Sequence, residues 1–289
     1  MYPKRGRLAD SIGGPHLWVV LLVVIVASAF LAPWLTPYDS TEPSYEETAQ
    51  APSLRHPMGT DLLGRDVLTR VLYGARLSLG IALTVQLLGV VVGILLGATS
   101  AYFGGLYDYT VMRIVDAMYA FPSLLFSMLV LVWLGPGVTN VLLALGIVSW
   151  VPICRLCRAQ VLQLREVEFV AAARALGLSD MRILLRHLVP NAVAPVIVAA
   201  VLGIPEVVFS EAGLSFLGLG VAPPTPSWGQ MIGTHYRDIQ AHWHLSVFPM
   251  IMMSATAYAF MKLGDAAQAA LDPRTSAVGQ WRSLRRARR

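Results

Sequence analysis

The chain is 289 residues long, 56% hydrophobic and only 13% charged, with a mean hydropathy of +0.61. Soluble globular chains are about 25% charged, so half the usual water-facing material is missing. That excludes a disordered chain, a coiled coil and an ordinary cytosolic enzyme, and the excess of 22 Lys and Arg over 17 Asp and Glu gathers beside apolar runs, a mark of membrane topology rather than nucleic-acid binding.

Residues 1–16 read as a cytoplasmic segment whose Lys4, Arg5 and Arg7 precede the first apolar run, Leu17–Leu35. That run is 19 residues long and has no A-x-A-like end, so it reads as a retained span and not a signal peptide. Further runs follow at Leu77–Tyr102, Ile114–Leu134, Val138–Cys154, Leu188–Phe209 and Leu245–Met261. A helix needs about 20 residues to cross roughly 30 Å of hydrocarbon, and the alternation of β-barrel strands is absent. The expectation is an all-α membrane protein with six transmembrane helices.

With the N-terminus inside, seventeen cations fall on cytoplasmic segments and five (Arg55, Arg65, Arg70, Arg76, Arg237) on external ones. The positive-inside rule then places both termini in the cytoplasm. Residues 17–76 make the first span and an acidic, Pro-rich external loop, ordered or semi-ordered. Residues 77–272 make a five-helix core with a helical cytoplasmic loop at 155–187. Within that loop Ala171–Ala173, Ala175 and Leu176 favour helix, Gly177 breaks it, and Ser179 or Asp180 can cap the next helix. Gly213–His244 is a second external loop, too irregular to face lipid unless protein covers it. Residues 273–289 form a basic cytoplasmic tail, and the five arginines of Trp281–Arg289 suit anionic headgroups.

The cytoplasmic loop runs Glu168-Phe-Val-Ala-Ala-Ala-Arg-Ala-Leu-Gly177 and continues to His187-Leu-Val-Pro190-Asn191. This resembles the EAA loop of ABC importer permeases, with Ala172, Ala173, Gly177 and Pro190 in place. Ala171, His187 and Val189 replace the Glu, Ile and Leu of the general pattern, as in the peptide and nickel permeases. His56–Ser78, Glu211–Gly220 with Pro223–Gly229, and Leu263–Pro273 resemble other stretches of the same family, so the likeness runs from about Leu17 to Arg274.

The resemblance implies a type I ABC importer permease fold with cytoplasmic coupling helices. It implies a pore shared with a paralogous permease, two cytoplasmic ATPases that hold ATP and magnesium, and an extracytoplasmic binding protein, all at the bacterial inner membrane. This chain would be the second permease, carrying di- or oligopeptides or, alternatively, nickel or another cationic cargo. The coupling residues would be Glu168, Ala172, Ala173, Arg174, Gly177, His187 and Pro190, with Pro190 starting the next span where its missing N–H matters little. Such a helix transmits ATPase closure as a rigid lever, and Arg174 would meet the partner or its own loop.

Outside that motif, Gly89, Gly93 and Gly97 make a GxxxGxxxG stripe for close helix packing, with Gly80 upstream. Carboxylates inside apolar runs are functional candidates, because an ionised side chain at a helix centre costs about 2.5–3.5 kcal/mol on insertion scales. Asp116 with Arg113, Glu211 near the external mouth, and Glu206 beside Pro205 are therefore the pore or gate candidates. Glu206 either faces the cargo path or is paired inside the bundle. Cys154 and Cys157 form a CxxC without the context of a redox or zinc site, and His242-Trp-His244 reads as an interfacial loop rather than a metal site. No phosphate-binding G-x-x-x-x-G-K-[ST] is present, so no ATP, other cofactor or metal is expected on this chain. An intramembrane serine protease would need a Gly after Ser215-Phe216 and a placed histidine base. A proton-coupled transporter would need inverted repeats.

Overall fold

The structure, a computed structural model, describes residues 15–271. The expected basic N-terminal segment lies almost entirely, and the tail wholly, outside the described residues. Helix α1 (Pro15–Leu35) leads into an irregular segment. Then come α2 (Val67–Phe103), α3 (Gly105–Ala120), α4 (Ser123–Leu134), α5 (Val138–Leu164), α6 (Glu168–Ala175), α7 (Asp180–Ile183), α8 (Val189–Phe216), α9 (Trp228–His235) and α10 (His244–Leu271). Among the described residues, five helical stretches are long and apolar enough to span a bilayer, and α3 with α4 supplies a sixth if taken as one bent span.

The expected third span, Ile114–Leu134, is thus not a single rod. It starts earlier, at Gly105, and turns by 88° between α3 and α4. Pro122 explains the break: its ring disfavours helical geometry in the preceding residue, and Phe121 is extended at φ −103°, ψ 135°. The bent pair still carries the chain across once. It leaves α2 at Gly104 and ends beside Gly137, whose N–H donates to Gly220 O at the opposite end of the bundle.

Helix α2 is the central post. Gly89, Gly93 and Gly97 face α5 so closely that a Cβ on Gly93 would sit 2.7 Å from the Ile153 side chain, whereas Gly80 has open space. The stripe is a packing surface. The main apolar core joins α1, α2, α5, α8 and α10 around Leu79, Val85, Val208 and Phe260.

At one end lies the loop 36–66, which is ordered by buried polar groups. Asp61 accepts the Leu63 and Arg65 N–H groups at 2.9 and 3.0 Å and the Arg65 guanidinium at 2.7 Å. Asp66 caps α2 through the Thr69 N–H at 2.7 Å. Outside the spans, two hydrogen bonds from Thr41 and one from the Glu42 N–H hold the Asp39 carboxyl below its ordinary value.

Helix α2 begins ten residues before the expected Leu77, because Arg70 is covered by protein and not lipid. Fully buried, Arg70 donates to Ser40 O at 2.6 Å, Pro224 O at 3.3 Å and Gln230 Oε1 at 3.3 Å. It thereby ties the first loop to the segment after α8. That segment is not all loop: α8 runs on to Phe216, and α9 is tucked against α8 and α10.

Candidate functional site

Two regions concentrate the expected functional residues. The first is the hairpin between α5 and α8, at the end opposite Arg70. Helix α6 starts at Glu168 and ends in a left-handed Gly177 at φ +76°. The Gly177 N–H donates to Arg174 O at 2.9 Å and the Leu178 N–H to Ala173 O at 3.2 Å, the paired bonds of a Schellman ending. Ser179 holds the N-cap position of α7 but makes no side-chain cap bond.

The hairpin is mounted rigidly. Val170, Ala173, Ile183, Leu184 and Leu188 are buried against Ala98, Ala101 and Tyr102 of α2 and Cys157 and Val161 of α5. Tyr102 donates its hydroxyl to Asp180 at 2.5 Å, and Arg165 donates to Ala101 O at 2.8 Å. Arg158 clasps Asp108 of α3 with two bonds of 2.6 Å. Arg174 meets its own chain, with its guanidinium 5.8 Å from the Tyr102 ring centre. Glu168, Phe169, Ala171, Ala172 and Leu176 stay exposed on the other side.

Pro190 is the second residue of α8, at the start of that span as expected, but not at a free helix end. It does not open a new helix, because helix is continuous from Asp180 to Phe216. The ladder widens over Leu184–Leu188 into a π-turn that contains His187, and the Val189 N–H reaches back to Leu184 O. A proline with no N–H and a bulky ring is accommodated by such a widening.

The second region is a partly open cavity of about 660 Å³ walled by α2, α3, α4, α5 and α8. Glu206 lines it, together with Gln86, Ser127, Ser149, Ser210 and Tyr119. Ser127 donates to Ala144 O at 3.1 Å and Ser149 to Gly146 O at 3.0 Å. Besides Glu206, the lone Gln86 in an otherwise apolar run is the signal by which the sequence could have announced this wall.

The four expected pore or gate residues fall in three places. Asp116 pairs with Arg155 at 2.6 Å, nearer than Arg113 at 3.9 Å, on an exposed surface outside the cavity lining. Only Glu206 faces the cavity. Glu211 does not line it: the side chain is fully buried and accepts hydrogen bonds from Ser78, Ser215 and Ser227 at 3.1, 2.8 and 2.8 Å. At the same end His235 is buried with Nδ1 2.9 Å from Met231 O, and burial pushes its imidazole below the ordinary value. His244 is buried against Thr60 O at 3.4 Å, and Cys154 and Cys157 are both buried and free. Among the described residues, no three His, Cys, Asp or Glu side chains gather as a metal site.

A multi-span helical bundle with a braced hairpin at one end and a mainly apolar cavity bearing a few polar groups fits a membrane transport subunit. The chain belongs to the family of binding-protein-dependent transport system inner membrane components, which residues 89–277 match. It is 39% identical over 290 residues to the dipeptide transport system permease protein DppC of Bacillus subtilis, covering 94% of this chain and 91% of the relative. It is 41% identical over 259 residues to the glutathione transport system permease protein GsiD of Escherichia coli, covering 89% and 84%. The fold is shared with the MetNI methionine ABC transporter in an inward-facing form, at TM-score 0.57 and 20% identity over 70% of this chain and 97% of that one. A second solved structure of the same fold, an amino acid ABC transporter with histidines, gives a TM-score of 0.55 at 16% identity over 70% of this chain and 94% of that one. The chain is therefore a multi-pass inner-membrane permease of the type I ABC importer fold.

Proposed function

We propose that this permease imports di- or oligopeptides, forming a pore with a paralogous permease. A binding protein would deliver the cargo outside, and two cytoplasmic ATPases would drive transport by seating on the α6 hairpin. The observation that carries the coupling role is the mounting of α6. One face is locked onto α2 and α5, while Phe169, Ala171, Ala172 and Leu176 present an uncovered apolar and small-residue face. A push on that face would pass through the buried contacts of Val170 and Ala173 with Ile183 and Leu184 into the helix that continues as α8. The names of the dipeptide and glutathione permeases support the peptide cargo. The same face would hold Glu168 and Arg174 at its rim, with Ala173, His187 and Pro190 transmitting motion from beneath.

Replacing Gly177 by valine tests the lever. No atom lies within 4 Å of the position a Cβ would take, so the change strains only the backbone. A left-handed β-branched residue costs about 1–2 kcal/mol. Membrane insertion should persist, while uptake in reconstituted vesicles falls roughly tenfold, about what 1.4 kcal/mol of mispositioning gives. Normal uptake, with ATPase activity still stimulated by the loaded binding protein, would remove the lever.

The reading places both termini in the cytoplasm. The start of α1 and the end of α10 lie at the hairpin end of the bundle, and the seventeen-to-five cation bias supports the orientation. Cysteines at Thr41 and Thr234 should react with an impermeant thiol reagent from outside, and those at Ser179 and Ser276 should not. Ser276 lies outside the described residues, so Ser179 is the structural control. Reaction at Ser179 from outside would invert the orientation.

A further inference from the structure

The cavity wall bears one charged side chain, Glu206. Among the described residues Glu206 makes no hydrogen bond and no ion pair, and it is exposed to the open space of the cavity. It lies ten residues before the end of a helix that is continuous from Asp180 to Phe216. It is one turn from Gly203, which packs against Gln86 halfway along α2, so its charge sits away from both ends of the spans. A carboxylate at that depth is kept only with a partner, water or a use. The described residues supply no partner, although Asp116, Glu211, Asp108 and Asp61 all have one.

The surroundings fit a passing solute better than a fixed counter-ion. Gly203, one turn before Glu206, carries no side chain, and a Cβ there would meet the Gln86 amide at 2.9 Å. Ser210, one turn after, shares the lining face. Tyr119 and Phe121 stand among the other lining residues. The wall thus offers one negative charge in a mainly apolar lining with a few neutral amide, hydroxyl and aromatic groups. In such a low-dielectric cleft a single charge is focused and raises the local concentration of opposite charge.

We propose that Glu206 is a cation-recognition point on the cargo path, receiving the ammonium group of the solute as it passes. Both the free α-ammonium and a basic side chain carry that chemistry. The proposal rests on the permease reading for the path, and on the peptide reading only for the nature of the cargo.

The test uses the complete transporter with Cys154 and Cys157 of this chain replaced by alanine. Ser210→Cys is added, and its modification is read on this chain by mass spectrometry. A cationic methanethiosulfonate should modify Cys at 210 about tenfold faster than an anionic one, the lower end of the effect of a focused field. Glu206→Gln should bring the two rates together. Equal rates before the change, an unaltered ratio after it, or a position closed to both reagents would overturn the proposal.

Competitive uptake then identifies the group received. A several-fold loss for a lysine-containing dipeptide, with an uncharged dipeptide spared, assigns the basic side chain. Equal loss for both, with the melting temperature unchanged, assigns the α-ammonium. Equal loss with a lowered melting temperature overturns the proposal, since Glu206 would then be structural. A transporter that moves neither peptide, yet shows the charge-dependent labelling and its loss in Glu206→Gln, overturns the peptide reading alone and supports the recognition point.

Discussion

Leucine in place of Gly93 should prevent α2 and α5 from closing and should lower the melting temperature of the detergent-solubilised protein by about 10 °C. The figure follows from contact geometry. A Cβ at Gly93 would lie 2.7 Å from Cβ and Cγ2 of Ile153 and 2.9 Å from the Cys154 backbone nitrogen. Ordinary overpacking costs about 1–3 kcal/mol, because side chains can shift to other rotamers. Here backbone is among the obstructing atoms and cannot turn away, so about 3 kcal/mol is a lower bound, and each kilocalorie shifts melting by about 2–4 °C at this size. Gly89, one turn earlier, meets Ser149 Oγ at 2.8 Å in the same way, so relief cannot come from sliding the helices. Gly80→Leu is the contrast: its Cβ position has nothing within 4 Å, and that variant should melt like the parent. Equal melting of Gly93→Leu and Gly80→Leu would show that the α2–α5 seam is not tightly packed.

That contrast also shows what could be read from the residues. Glycines four apart in an apolar run have one simple use, and Gly177 between an alanine-rich segment and a helix cap could hardly be anything but a turn. Both are local signals. The break at Phe121-Pro122 was equally visible as a dipeptide, but a hydropathy run averages over it and joins two helices that stand at 88°. The start of α2 was hidden for a different reason. Hydropathy expects arginines to mark the edge of lipid, whereas Arg70 is enclosed by Ser40, Pro224 and Gln230 from distant parts of the chain. The cavity wall has the same origin, since Gln86, Ser127, Ser149 and Glu206 come from four helices. Glu206 could be nominated from sequence because charge in an apolar run is conspicuous, but its freedom from partners could not. For Glu211 the same signal pointed to the pore, and three serines from α2, α8 and the residue ahead of α9 turned it into something else.

Those serines make Glu211 the second site where a single change should be severe. Each hydroxyl accepts a backbone N–H and donates onward to the carboxyl group. Ser78 takes the Trp228 N–H at 3.3 Å, Ser215 the Val221 N–H at 3.0 Å, and Ser227 the Gln230 N–H at 3.1 Å. All three N–H groups belong to the segment that follows α8, so one side chain orients the whole return of the chain into α9. Glu211→Ala removes the acceptor for three buried hydroxyls and leaves a void. A buried donor left without a partner costs about 1–3 kcal/mol. Some serines can turn to nearby carbonyls, so the expected loss is about 3 kcal/mol, or roughly 6–12 °C in melting temperature. Glu211→Gln keeps one oxygen but presents an NH2 to a hydroxyl that already accepts a backbone N–H, which should cost about half as much. In the intact transporter, Glu211→Ala should also expose residues 217–227 to limited proteolysis. Uptake should fall alike for basic and neutral peptides, unlike the charge-dependent change expected for Glu206→Gln. A Glu211→Ala protein that melts with the parent and resists the protease would mean that the serine cage holds nothing in place.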